Sequence, residues 1–176
     1  MKERKKELRK QIAQLKTQYC DCTLKALSAD VLTRLEKYSV FEEAHTILLY
    51  HSLKDEVHTH SFIEKWSGQK RIVLPVVAGA VLELRLYTGP HDLAIGAYGI
   101  AEPIGKPFTD YQSIDLAVIP GVAFDAEGHR LGRGKGYYDK LLPHISAPKI
   151  GICFPFQLIA EVPAENFDIK MNAVLC

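Results

Sequence analysis

Residues 114–142 read IDLAVIPGVAFDAEGHRLGRGKGYYDKLL, and this stretch gives the first indication of the fold class. Its first part, Ile114–Ile119, is a short apolar run typical of a buried strand. Its last part, from about Tyr137 to Leu142, is predicted to be a helix. A buried strand followed by a loop and a helix is the building unit of an α/β sheet.

Similar apolar runs and helical patterns lie on both sides of this unit. The further predicted strands are Thr46–Tyr50, Arg71–Val77, Val81–Tyr87, Lys149–Cys153 and Ala173–Leu175. The further predicted helices are one carrying Leu8, Ile12, Leu15 and Tyr19, one from an N-cap at about Ser28 to Tyr38, and one at Thr59–Trp66. The alternation predicts one α/β domain over residues 1–176, with a mostly parallel sheet covered on both faces. In such sheets ligands bind beyond the carboxyl ends of strands, so we expect the site near the loops after Tyr50, Val77 and Ile119.

The composition is that of an ordinary globular protein. The 176 residues are 47% hydrophobic, and 22 basic and 21 acidic residues give a formal net charge of +1. A chain so nearly neutral has no overall field to attract nucleic acid or anionic lipid. No apolar run has the length of a membrane span, and the first residues lack a secretory pattern, so we expect a cytoplasmic protein. The four cysteines have no metal-site or disulfide-framework spacing and are expected to be reduced thiols.

The loop before the last helix has an unusual glycine pattern. Gly132, Gly134 and Gly136 alternate with Arg133 and Lys135. Glycine at every second position permits positive φ angles, so that several N–H groups can converge on one anion beside the start of a helix. The spacing matches neither the Walker A loop nor the dinucleotide fingerprint. The loop is predicted to bind phosphate, and the alternative is a flexible basic loop that binds nothing.

The helix after this loop begins with Tyr137, Tyr138 and Asp139. A carboxylate beside a phosphate site repels the anion unless a cation lies between them, so Asp139 is predicted to bind Mg²⁺. Its alternative role is to complement the helix dipole. One of the two tyrosines is expected to pack against the core, and the other to offer its flat face to an aromatic ligand.

The segment LGRGKGYYD at residues 131–139, preceded by IDLAVIPGVAFDAEG, resembles the signature of the 5-formyltetrahydrofolate cyclo-ligase family. KKELR at Lys5–Arg9, LKDEV at Leu53–Val57 and YGIAEP at Tyr98–Pro103 are similar to further elements of that family, so that the likeness covers nearly the whole chain. The resemblance implies a three-layer α/β sandwich like that of the sugar-isomerase and CoA-transferase group. It also implies an ATP-dependent enzyme that converts 5-formyltetrahydrofolate to 5,10-methenyltetrahydrofolate, through phosphorylation of the formyl oxygen and attack by N10, with release of ADP and phosphate.

The resemblance also implies site residues. The residues implied to contact ATP are Lys5, Lys6, Arg9, Arg130, Leu131, Gly132, Arg133, Gly134, Lys135, Gly136, Tyr137 and Tyr138. The folate is implied to contact His51, Glu56, Arg133, Gly134, Lys135, Gly136 and Tyr137, and the catalytic roles fall to Arg133, Lys135 and Tyr137. Mg²⁺ is implied to bind Asp139 and Asp168. The family's histidine beside the second aspartate is Phe167 here, and a later acidic position is Asn172.

Three other functions remain open from the residues alone. One is a different phosphate-handling enzyme of the same fold group, such as a sugar-phosphate isomerase. Another is a non-catalytic sensor of a phosphorylated metabolite. The third is nucleic-acid binding through the basic first helix, which the near-zero net charge disfavours. We expect small-molecule substrates, no nucleic acid or membrane partner, and a monomer.

Overall fold

The computed structural model describes residues 1–96, 99–165 and 168–176. Its helices are α1 (Lys2–Lys16), α2 (Asp21–Glu36), α3 (Ser39–Glu43), α4 (His60–Ser67) and α5 (Tyr137–Leu141). Its longer strands are β1 (Thr46–Leu48), β2 (Arg71–Ala78), β3 (Val81–Tyr87), β7 (Leu116–Pro120), β10 (Lys149–Ile152) and β11 (Ala173–Leu175). Its shorter strands are β4 (Leu93–Ile95), β5 (Ala101–Pro103), β6 (Pro107–Phe108), β8 (Ala123–Phe124) and β9 (Arg130–Leu131).

The central sheet has seven strands in the order β11-β10-β7-β1-β2-β3-β6. The first five are parallel to one another, and β3 and β6 add an antiparallel edge. This confirms the predicted mostly parallel sheet. The chain places β2 on one side of β1 and later returns to place β7 on the other side. The carboxyl ends of β1 and β7 therefore flank the switch point at which α/β sheets bind ligands.

Helices cover both faces of the sheet, because successive residues of a strand point to opposite sides. On one face Ile47 and its neighbours pack against α2, α3 and α4 in a cluster that includes Leu35 and Phe41. On the other face Leu48 packs with Leu141, in α5. The result is the predicted three-layer α/β arrangement. The likeness to the sugar-isomerase and CoA-transferase group stays a prediction.

The first helix docks away from the central sheet. Ile12 in α1 packs with Ala123, Leu131 and Val162, on and beside the small β8–β9 hairpin. Leu8, one turn earlier, adds to the same cluster. The apolar stripe of α1 thus holds its basic residues beside the segment that leads into the glycine loop.

Three local predictions are wrong. The second helix begins at Asp21 and not near Ser28, because Cys20 caps it by accepting the Thr23 N–H, while Ser28 lies buried within the helix and donates to the Leu24 carbonyl. The first helix ends before Tyr19. Cys20 and Cys22 are joined as a disulfide, since the start of α2 brings their Cα atoms within 5.4 Å, whereas Cys153 and Cys176 are free. Within the described ranges, no helix is long and apolar enough to cross a bilayer.

Candidate functional site

A pocket of about 470 Å³ lies beyond the carboxyl ends of β1 and β7. Tyr50 and His51 follow β1 on one side of it, and Gly121 follows β7 on the other. The end of β2 supplies Val77, and the glycine loop closes a further wall as far as Asp139. The pocket therefore lies at the three loops where the strand order predicts a ligand site.

The three loop glycines have two different roles. Gly134 and Gly136 have φ angles of +97° and +68°, the left-handed conformation that the alternating pattern predicts. Gly132 does not have a positive φ. A side chain there would bring its Cβ within 2.9 Å of Nη1 of Arg130. Gly132 therefore provides room for Arg130, while the other two glycines shape the loop.

The first helix brings its basic residues to this loop. Arg9 Nε donates to the carbonyl oxygen of Gly132 over 2.8 Å. One turn earlier, Lys5 Nζ lies 2.7 Å from Asp168 Oδ2 and 3.3 Å from Glu165 Oε2. The structure thus brings Arg9 to the glycine loop, 123 residues away in sequence, and Lys5 to Asp168, 163 residues away. Lys6 is exposed and has no ion-pair partner among the described residues.

Arg130 is one of three basic residues that line the pocket, together with Arg133 and Lys135. Its side chain is only 5% exposed, and its Nη2 donates to Asp139 Oδ1 over 2.7 Å. The guanidinium lies 5.3 Å from the centre of the Tyr138 ring, and its Nε has no partner among the described residues. A buried guanidinium with a donor to spare favours an anion beside it, because an unpaired buried donor costs free energy.

The two tyrosines of α5 divide the roles expected of them. Tyr138 packs against the core, and burial raises its pKa above the ordinary value. Tyr137 lines the pocket, and its hydroxyl donates to the Gly79 carbonyl over 3.4 Å. Nζ of Lys135 lies 5.9 Å from the centre of the Tyr137 ring. Both tyrosines line the pocket, and Tyr137, which is not packed against the core cluster, is the one that we expect to face an aromatic ligand.

Glu56 lies opposite the glycine loop with its side chain 13% exposed. Its Oε2 accepts the N–H of Leu53 over 2.9 Å, which fixes the carboxylate within its own turn. Its Oε1 accepts from Arg133, over 3.0 Å from Nη2 and 3.3 Å from Nε. The same Nη2 lies 2.6 Å from Asp55 Oδ1. The predicted phosphate loop and the predicted folate ligand are thus joined directly.

His51 also lines the pocket, stacked on His60 with 3.7 Å between ring centres. His60 Nε2 donates to the Ser52 carbonyl over 2.8 Å. Burial, with the charge of His60 second, lowers the pKa of His51 to about 4. His51 is therefore neutral at physiological pH. The sequence analysis missed His60 and Asp55, although alternating histidines and consecutive acidic residues were visible signals.

Asp139 and Asp168 suit Mg²⁺ that is completed by phosphate oxygens. Both lie near Arg130, which donates to Asp139 and acts through its charge on Asp168. Burial favours a higher pKa for Asp168, but bonds from Lys5 and the Glu165 N–H leave the pKa below its usual range. Mg²⁺ takes one or two carboxylates together with phosphate and water. Within the described ranges, no three or more histidines, cysteines and carboxylates lie close enough together to hold a metal ion by themselves.

Two departures from the family pattern lie beside Asp168. The side-chain oxygen of Asn172 accepts the Lys149 N–H over 2.8 Å, so this residue joins β10 to the segment before β11. Phe167 lies outside the described residues, as does Tyr98 at the start of the YGIAEP segment.

Comparison with known proteins agrees with this arrangement. The model of the 5-formyltetrahydrofolate cyclo-ligase family matches residues 1–176. The chain belongs to this family. A 5-formyltetrahydrofolate cyclo-ligase of Escherichia coli K12 is 33% identical over 153 residues, which cover 81% of this chain and 84% of the relative. A probable 5-formyltetrahydrofolate cyclo-ligase of Schizosaccharomyces pombe is 29% identical over 175 residues, covering 88% and 86%.

Solved structures extend the likeness to the whole fold. The 5,10-methenyltetrahydrofolate synthetase of Aquifex aeolicus superposes with a TM-score of 0.86 at 33% identity, covering 97% of this chain and 88% of that one. The synthetase of Mycoplasma pneumoniae has a TM-score of 0.77 at 28% identity, covering 97% of each chain. Membership of the cyclo-ligase family sets aside the sugar-phosphate isomerase, the sensor and the nucleic-acid-binding protein.

Proposed function

We propose that this protein catalyses the ATP-dependent cyclisation of 5-formyltetrahydrofolate to 5,10-methenyltetrahydrofolate. One observation carries the proposal: a single pocket, in a chain of the cyclo-ligase family, joins the cation-rich glycine loop to a wall with Glu56 and Tyr137. A nucleotide's phosphates and a reduced pterin need these two kinds of surface side by side.

The reaction needs an activated formyl group. The formyl carbonyl on N5 is amide-like and resists attack by N10. Transfer of the γ-phosphoryl group from ATP to the formyl oxygen releases ADP and gives an iminium phosphate. N10 then bonds to the formyl carbon, the carbon–oxygen bond breaks, and phosphate leaves with the proton from N10. Such phosphoryl transfer depends on positioning and charge neutralisation and needs no protein nucleophile.

The chain's own residues supply these requirements. The loop N–H groups, with Lys5, Arg9 and Arg130, would hold the phosphates, because charge-assisted bonds to phosphate are strong. Arg133 and Lys135, which are exposed on the loop, would neutralise charge on the transferred group. The remaining ATP contacts are proposed at Lys6, Leu131, Gly132, Gly134, Gly136 and Tyr138.

The folate side is polar at one end and aromatic at the other. Glu56 would accept N–H donors of the reduced pterin, and Tyr137 would stack on its ring. The neutral His51 lines the same wall. Asp139 and Asp168 would hold Mg²⁺, which neutralises phosphate charge when bound.

The decisive assay follows the absorbance of the methenyl product after 5-formyltetrahydrofolate, ATP and Mg²⁺ are added to the protein. We expect product only when all three are present, with one ADP released per turnover. ADP release without the methenyl absorbance would assign the phosphoryl group to a different acceptor. Absence of both signals would remove the proposal.

We also infer that the protein acts in the cytoplasm as a monomer and as one domain. The balanced charge and the family's small-molecule substrate support this, since neither calls for a macromolecular partner. Light scattering coupled to gel filtration should give a mass near 19.7 kDa. A mass of twice that value or more would replace the monomer with an oligomer.

A further inference from the structure

Each carboxylate proposed to bind metal or folate is paired with a cation proposed to bind ATP. Glu56 pairs with Arg133 at 3.0 Å, and Asp139 pairs with Arg130 at 2.7 Å. Asp168 pairs with Lys5 at 2.7 Å. Without ligands these three carboxylates and three cations therefore neutralise one another. Phosphate that binds Arg133, Arg130 or Lys5 must compete with these carboxylates for the cation.

The Arg133 bridge is the pair that joins the two substrates. Arg133 reaches from the glycine loop to the turn after β1, where it contacts Glu56 and Asp55 together. Asp55 is held in turn by Lys16, whose Nζ lies 2.5 Å from its carbonyl oxygen and 3.4 Å from its Oδ2. Asp55 is thus a fixed second anchor for the arginine.

The bridge uses the acceptor capacity that a pterin would need. Oε2 of Glu56 already accepts the Leu53 N–H, and Oε1 accepts two donors from Arg133. A ligand N–H must therefore displace the guanidinium or share its oxygen. A triphosphate carries more negative charge than a carboxylate and accepts the same planar guanidinium in pairs of bonds, so it competes for Arg133.

When Arg133 moves away, the carboxylate of Glu56 loses its ion-pair partner. The carboxylate is only 13% exposed, and a largely buried charge that loses its partner must find new donors. The N–H groups of a reduced pterin are such donors. The two substrates therefore replace the bridge together: phosphate becomes the partner of Arg133, and the pterin N–H groups become the partners of Glu56.

We propose that Arg133 exchanges between the Asp55–Glu56 pair and the nucleotide, so that ATP binding opens Glu56 and tightens binding of 5-formyltetrahydrofolate. Asp55 is then a positioning residue that holds Arg133 over Glu56 until ATP arrives. The inference rests on the proposed function and adds a coupling between its two substrates. The coupling is reciprocal, so the folate tightens ATP binding by the same factor.

The test measures binding without turnover. The dissociation constant of 5-formyltetrahydrofolate is obtained by titration calorimetry with and without Mg²⁺ and the β,γ-imido analogue of ATP. In the wild type we expect the analogue to lower this constant about fivefold or more, at the lower end of usual coupling because Arg133 is half-exposed. In Asp55→Asn, folate should bind more tightly without nucleotide, and the ratio of the two constants should fall toward one.

A matched control also replaces a carboxylate with an amide, but at a position away from the pocket. Glu83→Gln neutralises a half-exposed carboxylate that pairs with Arg85 at 2.9 Å on β3. Its ratio should equal that of the wild type. The melting temperature of Asp55→Asn is measured alongside, and since Asp55 is 47% exposed we expect it to fold.

Two results would overturn the exchange. One is a wild-type ratio of one, and the other is an Asp55→Asn ratio equal to that of the wild type. If the protein forms methenyltetrahydrofolate yet gives either result, the exchange is wrong and the proposed function stands. If it neither binds nor converts 5-formyltetrahydrofolate, both proposals are wrong.

Discussion

Replacing Asp139 with asparagine separates a metal ligand from a structural ion pair. The carboxylate is 36% exposed and contacts Arg130, which is 5% exposed, at 2.7 Å. Fully buried pairs lose about 3–5 kcal/mol when one partner is removed, and exposed pairs contribute about 1 kcal/mol or less. The asparagine oxygen can still accept a bond, so we expect a loss of about 1–2 kcal/mol. For a chain of this length that lowers the melting temperature by about 2–8 °C.

The metal role adds a second effect that stability alone does not produce. Loss of a charged ligand worth about 1.4 kcal/mol or more raises the half-saturating Mg²⁺ concentration about tenfold, and kcat should fall as well. The assay is the rate of methenyl formation across a magnesium titration at saturating ATP and folate. Glu36→Gln is the control, because it breaks a carboxylate–lysine pair with Lys65 elsewhere on the fold. A lowered melting temperature with an unchanged magnesium titration would refute the metal role.

Three further predictions concern the glycine loop and His51, which lines the pocket. Lys135→Met should raise KM for ATP about tenfold and KM for the folate by less, because Lys135 is exposed, has no ion pair among the described residues and is proposed to act mainly on phosphate; equal rises in steady-state kinetics would contradict phosphate binding. Gly134→Ala, at a φ of +97°, should lower stability by about 1 kcal/mol or more, whereas Gly68→Ala, at −81° with open space, should not; equal melting temperatures for the two variants would contradict this. The pKa of His51, lowered to about 4 by burial and by His60, makes neutral His51 part of the fold, so stability present above pH 6.5 is lost as the pH falls toward 4. Since His51 is half-buried we expect this share to be about 1 kcal/mol, absent in His51→Gln and kept in His91→Gln; equal acid losses in urea unfolding of all three proteins would exclude it.

The sheet could be predicted because its strands are continuous apolar runs. Strands β1, β7 and β10 are almost wholly buried, as is Ile72–Leu74 of β2. A strand that is buried on both faces has a short unbroken apolar segment in its sequence. The small strands β4, β5, β6, β8 and β9 were missed, since two or three residues carry no readable period. The start of α2 was misplaced because Cys20 caps it in place of a residue type that usually does.

The part of the site formed by a single segment could be predicted from the sequence. The contacts between two distant segments could not. The glycine loop has its cations and its positive φ angles within a few residues, so its pattern is local. The contact of Arg133 with Glu56 joins residues 77 positions apart, and no sequence pattern in either segment predicts that the two segments meet. The same holds for the stack of His51 on His60, which depends on how the turn after β1 folds back.

The docking of α1 has a consequence for the order in which the chain folds. This helix precedes the central sheet in the sequence, yet its packing partners include Leu131 and Val162, and Lys5 pairs with Asp168. Contacts of such long sequence separation form slowly, since a large loop must close before they are made. The contacts of α1 are therefore expected to form late in folding, and a chain cut before Val162 lacks part of the packing that holds Arg9 against the glycine loop.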